Sequence, residues 1–360
     1  MKILRVINSL DIGGAERSIA GNVPLHIQNG FDMDVLLLNG KETFFQTELK
    51  SKGIKVFSLG QNNNIYNPLL VFKLMKFIRQ YDVVHAHLFP AIYWVAFAKM
   101  LLFSSVKLVF TEHDTHNRRR DNFLLRLVDK IVYRQFSTII TISDAAAHNL
   151  AKHLGFRHSM TTIYNGVDLQ KVRMEAALEK PNLKSQFSNK KLLVQVAGFR
   201  DQKDQDTVIK ALTVLPEEFV AVFVGEGKRM EICKALANEL NVADRVFFMG
   251  LQSQVGSILG MAEFVVMSSH WEGFGRAAVE GMALRKPVLA SDVPGLADVV
   301  SGAGLLFEVG DYKTLANSII ELSSNKHYYD EVASKCYDRA EIYDIKHMVQ
   351  AYEKVYNQLR

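Results

Sequence analysis

Residues 263–284 read EFVVMSSHWEGFGRAAVEGMAL. The first part, Glu263 to Ser268, is apolar and β-branched enough for a buried strand. Gly273 and Gly275 then punctuate a turn, and a helical run follows. The unit is strand, glycine turn, helix. In open α/β sheets, ligands bind in the crevice beyond the carboxyl ends of such strands. Glu272 on the turn and Glu280 in the helix, with seven residues between them, both fall near that edge. Taken alone, the pair also fits a favourable charge near a helix N-terminus and a solvated helix residue, so its meaning depends on the rest of the chain.

Outward from this unit the same alternation recurs. From Lys2 to about Asn165 the runs KILRVI, DVLLL, KVFSL, DVVHAH, VKLVFT, STIITIS and TTIYNG are separated by helical patterns, which predicts a parallel, doubly wound sheet. A polar segment near Pro181 to Asn189 interrupts the pattern, with a linker placed near residues 169–189. It restarts with KLLVQVAG, FVAVFVG, RVFFMG, EFVVMS and PVLAS, a second sheet of the same class. Residues 312–360 read as entirely helical, long enough to reach back toward the first sheet. The fold class is α/β, with two Rossmann-like doubly wound domains facing across a cleft into which both strand edges open.

The 360-residue length suits two domains, and 48% hydrophobic with 22% charged residues describes a globular chain without disordered composition. The start, MKILRVINSL, lacks a small-residue cleavage site. The longest apolar run, Ala91 to Phe103, contains Lys99 and is too short to span a bilayer. Two cysteines, Cys233 and Cys336, make no CxxC pair and no disulfide framework; a cytoplasmic location follows. The net charge of +5 is unevenly spread, because HNRRR at His116 to Arg120 precedes Arg126, Lys130 and Arg134 on an apolar-periodic helix. Such a surface suits an anionic membrane, and a solvated helix face is the plain alternative. No zinc-finger spacing, RRM-type motif or strongly basic domain points to nucleic acid.

Several residues stand where chemistry would need them. Gly13 and Gly14 before the first helix let backbone N–H groups approach a phosphate, although the turn LDIGGAER is not the GxGxxG of a nicotinamide enzyme. Arg200 and Lys203 follow a strand and suit a diphosphate; two exposed loop cations would look the same. His85 and His87 share one strand face and read as polar crevice residues or as part of a metal pair that lacks further ligands. His113, just past a strand, is placed to hydrogen-bond a substrate hydroxyl, with a satisfied structural histidine as the alternative reading. Asp32-Met33-Asp34 opens a strand and Asp204-Gln205-Asp206 precedes a helix, so neither reads as a magnesium site. No metal and no cofactor is expected, and no GxSxG, Walker A or HExxH motif occurs.

The strings GGAE at 13–16, DVVHAH at 82–87, TEHD at 111–114, ITISDAA at 140–146, YNGVD at 164–168, QKDQDTVIKA at 202–211, VGEG at 224–227 and VFFMG at 246–250, with the Glu272–Glu280 pair, resemble the retaining glycosyltransferases of family 4, which have the GT-B fold. The resemblance implies an N-terminal acceptor-binding domain over residues 1–170, joined by a C-terminal helix at about 343–360, and a donor domain over 188–342. It implies hexose transfer from a nucleotide-diphosphate sugar to a glycan or lipid-linked acceptor, in polysaccharide biosynthesis. In the family the second glutamate binds the donor ribose and the first lies at the donor sugar, roles that pass to Glu280 and Glu272. A carboxylate does accept two hydrogen bonds from a diol, and the N–H groups of Gly273, Phe274 and Gly275 suit a sugar or phosphate. His113, Glu272, Arg200 and Lys203 are the expected catalytic set. Gly13, Gly14 and Gly273–Gly275 join Arg200, Lys203, Glu272 and Glu280 at the donor. The chain departs from the family at Gly198, where an arginine is usual, at Gly281, where alanine is common, and at Asp298, where glutamate is. A nucleotide-sugar-binding protein without turnover and a nucleotide-sugar 2-epimerase are the competing functions; a phosphorylase would need pyridoxal phosphate and a much longer chain.

Overall fold

The computed structural model describes every residue except 12, 114–121, 156–157 and 179–184. The HNRRR segment and Asp114 of TEHD therefore lie outside the described residues. The chain divides into two units, Met1–Gly166 with Ile345–Arg360, and Val167–Asp344.

The first unit is built on β1 (Lys2–Ile7), β2 (Asp32–Leu37), β3 (Val56–Ser58), β4 (Val83–His87), β5 (Lys107–Glu112), β6 (Thr138–Thr141) and β7 (Met160–Thr162). These form one parallel sheet in the order β3-β2-β1-β4-β5-β6-β7. Helices cover both faces, so these strands are buried over nearly their whole length and are mostly apolar, with polar exceptions such as Asp34, His85 and His87 that are buried with them. The helix Ile345–Asn357 belongs here: its buried Ile345, Met348, Val349, Tyr352, Val355 and Tyr356 recur at helical spacing and join the core of β1 and the helix Gly14–Gln28.

The second unit carries β8 (Lys191–Val196), β9 (Phe219–Val224), β10 (Val246–Phe248), β11 (Phe264–Met267), β12 (Val288–Ser291) and β13 (Leu305–Phe307), parallel in the order β10-β9-β8-β11-β12-β13. Both sheets reverse their strand order beside the first strand, between β1 and β4 and between β8 and β11. That is the switch point where doubly wound sheets open a crevice. The loops leaving β8 and β11 flank it in the second unit, which places Arg200–Lys203 beside Ser269–Gly275.

Two sequence expectations need correcting. β13, three residues long and set between Gly304 and an acidic turn, was not anticipated, because so short a run carries no period. The tail from residue 312 is three helices, Tyr312–Ser324, Lys326–Ile342 and Ile345–Asn357. The first break comes at Asn325, whose side chain accepts from the Tyr328 N–H and caps the next helix.

Candidate functional site

In the second unit, β11 delivers the chain to a turn that ends in Gly275. This glycine is the N-cap of the helix Arg276–Met282 and sits at φ +79°, the left-handed region that favours glycine. A side chain there would also meet Leu296 Cδ1 at 2.5 Å. The facing loop imposes a second requirement: a Cβ on Gly295 would stand 2.4 Å from the Glu272 carbonyl oxygen. The turn carrying Glu272 is thus packed closely against the Leu296 side chain and the Gly295 backbone.

Glu272 forms an ion pair with Lys203, both side chains mostly enclosed, and Ser269 Oγ donates to the same carboxylate oxygen at 3.4 Å. The two loops are laced together beneath this pair. Ser268 Oγ donates to the Asp204 carbonyl at 2.6 Å, Gln195 Nε2 to the Lys203 carbonyl at 2.8 Å, and Gln202 Nε2 to the Trp271 carbonyl at 2.8 Å. The His270 N–H reaches back to the Gln202 carbonyl at 2.8 Å, and Ser291 Oγ holds the Ser269 carbonyl at 2.5 Å. Arg229 pins the cationic loop from outside, donating to Asp201 at 2.7 Å and to Asp206 at 2.6 Å. Gln195, Ser268 and Ser291 went unnoticed in the sequence. Their signal was a polar residue within or ending an apolar strand run, where burial demands a hydrogen-bond partner.

Arg200 behaves differently from Lys203. It is exposed, and its guanidinium makes no ion pair or hydrogen bond among the described residues. Its Nε lies 3.8 Å from the point where a Cβ on Gly198 would stand, and that Cβ would touch only the Glu226 carbonyl oxygen at 3.4 Å. The backbone therefore has room for a side chain at 198, and the Arg200 guanidinium stem fills the neighbouring space. Glu280 sits in the helix below, 6% exposed, with Oε1 3.9 Å from Arg276. Arg200 and Lys203 thus lie on the loop leaving β8, Glu272 and Gly273–Gly275 on the loop leaving β11, and Glu280 in the helix that follows.

Gly13, Gly14 and His113 belong to the first unit. Gly13 is the N-cap of the helix Gly14–Gln28, and the Glu16 carboxylate folds back over this helix start, its Oε2 2.1 Å from the point where a Cβ on Gly13 would stand. His113 Nε2 lies 3.0 Å from His87 Nδ1, and the His87 ring stacks on His85 at 4.3 Å between centroids. Behind them stands a fully buried Arg5 that no carboxylate touches among the described residues. Its guanidinium donates to Tyr356 Oη, to Asn22 Oδ1 at 3.2 Å and to His85 Nδ1 at 3.1 Å. Because arginine only donates, His85 Nδ1 accepts and its Nε2–H donates to Thr111 Oγ1 at 2.8 Å. Burial first, then the Arg5 charge, pushes the His113 ring down to about 3, and the same two causes hold His26 at about 3. His85 and His87 are held well below the usual range, by burial above all. At neutral pH the cluster is a set of uncharged rings that give and accept hydrogen bonds. The reading of His85 and His87 as a metal pair is not supported, since both are engaged in this network. Among the described residues no group of three or more His, Cys, Asp or Glu side chains is placed to hold a metal ion.

Two family models match the chain: Glycosyltransferase Family 4 over residues 12–171 and Glycosyl transferases group 1 over residues 179–341. The chain is 25% identical, over 76% of its length and 74% of the relative, to the N-acetyl-alpha-D-glucosaminyl L-malate synthase of Bacillus anthracis. It is 23% identical, over 94% of both chains, to the N-acetylgalactosamine-N,N'-diacetylbacillosaminyl-diphospho-undecaprenol 4-alpha-N-acetylgalactosaminyltransferase of Campylobacter jejuni. The crystal structure of Anabaena HepE in complex with UDP and glucose superposes with a TM-score of 0.86 at 24% identity, over 99% of each chain. That similarity establishes the GT-B fold.

Proposed function

The chain belongs to the family 4 glycosyltransferases, with the group 1 domain as its second half, and on that premise we propose that it moves a hexose, with retention, from a nucleotide-diphosphate sugar to a glycan or lipid-linked acceptor in cell-surface polysaccharide biosynthesis. The observation that carries the proposal is the Lys203–Glu272 pair at the switch point of the second sheet, with the exposed Arg200 on one side and the buried Glu280 on the other. The cations suit the diphosphate, Glu280 the ribose diol, and Glu272 with the Gly273–Gly275 backbone the donor sugar. The Anabaena relative was solved with UDP and glucose, and the Campylobacter relative acts on an undecaprenol-linked substrate, which support a nucleotide-bound donor and a lipid-linked acceptor.

On this reading the bond between the sugar C1 and the diphosphate oxygen breaks while the acceptor oxygen bonds to C1 on the same face. The acceptor proton passes to the departing phosphate oxygen, so no enzymic nucleophile takes part. Lys203 and Arg200 stabilise the charge that builds on that oxygen. His113, uncharged at neutral pH, offers a hydrogen bond to a substrate hydroxyl. A nucleotide-sugar pool and an acceptor on the inner membrane leaflet fit a cytoplasmic enzyme, and no helix among the described residues is long and apolar enough to cross a membrane.

Glu280→Gln keeps the shape and removes the charge. It is expected to weaken nucleoside diphosphate binding by about 1–3 kcal/mol, the scale of a charge-assisted hydrogen bond. Calorimetric titration with UDP and GDP measures this, and equal affinities in the wild type and the variant would reject the ribose role. With lysine and arginine supplying the positive charge, transfer is expected to survive EDTA. Loss of activity that magnesium or manganese restores would reveal a required cation.

A further inference from the structure

His87 ends β4 and His113 stands just past the end of β5, and the two rings differ in their surroundings. His87 is 1% exposed, and its Nε2 has no hydrogen-bond partner among the described residues. His113 is half-buried, and its Nδ1 makes no hydrogen bond among the described residues. Their shared contact sets His87 Nδ1 against His113 Nε2 at 3.0 Å. Two ring nitrogens at that separation are joined by a single N–H, so one ring donates and the other accepts.

Burial above all keeps both rings uncharged at neutral pH, and a neutral imidazole carries one proton. If His113 donated through Nε2–H, His87 would carry its own proton on Nε2, an N–H buried without an acceptor. If His87 donates through Nδ1–H, its Nε2 is a bare lone pair and His113 carries its proton on Nδ1. Buried N–H groups without a partner are rarer in folded proteins than under-satisfied acceptors, so the second arrangement leaves the smaller defect. The His87 ring is also held from behind. It stacks on His85 at 4.3 Å with 24° between the planes, and His85 is fixed at both nitrogens, by Arg5 and Tyr356 at Nδ1 and by Thr111 at Nε2.

We propose that His87 is a positioning residue, whose Nδ1–H holds His113 in the tautomer with its proton on Nδ1 and so makes the open edge of the His113 ring a hydrogen-bond donor and not a base. The hydrogen bond made by one ring nitrogen sets which nitrogen carries the proton. In a free neutral imidazole side chain the proton prefers Nε2, so His113 is held in the less common form. An Nδ1–H meets the lone pair of a substrate oxygen. It cannot take a proton from an acceptor hydroxyl, which leaves that proton to the departing phosphate. This consequence for the reaction rests on the transferase reading, whereas the tautomer itself does not.

Long-range proton–nitrogen NMR spectra of the full chain, isotopically labelled in its histidine rings, read the tautomer directly, because protonated and bare ring nitrogens resonate far apart. The signals lost in His113→Gln identify His113 among the 11 histidines. In the wild type at neutral pH they are expected to show the proton on Nδ1 and a bare Nε2. In His87→Leu that pattern should give way to the ordinary one, with the proton on Nε2. His87→Asn, whose carboxamide N–H can stand near the Nδ1 position, should retain it. A wild-type His113 with its proton on Nε2 overturns the proposal. So does an Nδ1 proton that persists in His87→Leu, or one that His87→Asn loses. If the leucine variant fails to fold, the wild-type and asparagine spectra decide. The samples contain no substrate, so failure of the transferase reading is not mistaken for failure of this one.

Discussion

Lys203→Ala is expected to lower kcat by roughly 10²–10³-fold, the scale for removing one preorganised donor from a developing oxyanion. Its ammonium is aimed by the Glu272 carboxylate and its loop is fixed by the Gln195 and Ser268 bonds, so the charge waits in position and needs no reorganisation during the reaction. Arg200→Ala should produce a loss of the same order, for a different reason. Gly198 stands where the resemblance implies an arginine, and the Arg200 stem lies beside the place that a side chain at 198 would occupy, its guanidinium making no ion pair or hydrogen bond among the described residues. A planar guanidinium can bind a phosphate with two parallel bonds beside the point charge of lysine. If Arg200 were only a solvated loop residue, its removal would change stability by within about 0.5 kcal/mol and leave the rate alone. Single-turnover kinetics of both variants decide the matter, and full activity in Arg200→Ala with Lys203→Ala impaired would leave Lys203 as the only phosphate cation.

The first unit should lose stability as the pH falls from 7 to 5. His85 and His87 are fully enclosed, and burial together with nearby positive charge keeps their rings neutral far below the usual histidine range; His26 is as enclosed, but the Glu353 carboxylate 3.1 Å from its Nδ1 offsets part of that effect. The unfolded chain takes up protons below its ordinary value of about 6.5 while these rings do not. Protonation therefore favours the unfolded state, and the stabilisation present above pH 6.5 is lost as the pH drops. Each ring is worth up to about 2 kcal/mol at pH 5 on this account, before any allowance for residual structure in the unfolded chain. Carboxylates contribute mostly at lower pH, which leaves this window to the histidines. The two tryptophans, Trp94 and Trp271, fall one in each unit. In a Trp271→Phe variant, fluorescence reports the first unit alone. Its unfolding midpoint should fall clearly between pH 7 and pH 5, and a midpoint flat across that range would contradict the neutral cluster.

Much of the fold was legible because parallel strands buried on both faces must be written as apolar runs, and every such run named in the sequence became a strand. What escaped was β13, too short to show a period, and the break at Asn325, where the cap looks like any other asparagine in a helical stretch. At the site, Glu272, Lys203 and the glycine turn were visible because strand ends and helix starts announce themselves. The Arg5–Tyr356 bond was not, since its partners are 351 residues apart and only the return of the last helix joins them. Arg5 itself reads as a surface residue in KILRVI until the structure shows it in the core. Gly295 likewise reads as a loop glycine, and only the approach of the Glu272 carbonyl oxygen explains it.

Hydrogen exchange of the intact protein with and without a saturating nucleotide-diphosphate sugar tests the central claim, that the second unit holds the donor on the loops leaving β8 and β11. The account predicts added protection over Val196–Lys203 and Ser268–Met282, with smaller effects elsewhere in that unit. A sugar nucleotide that binds yet leaves both segments exchanging as in the free protein would contradict it.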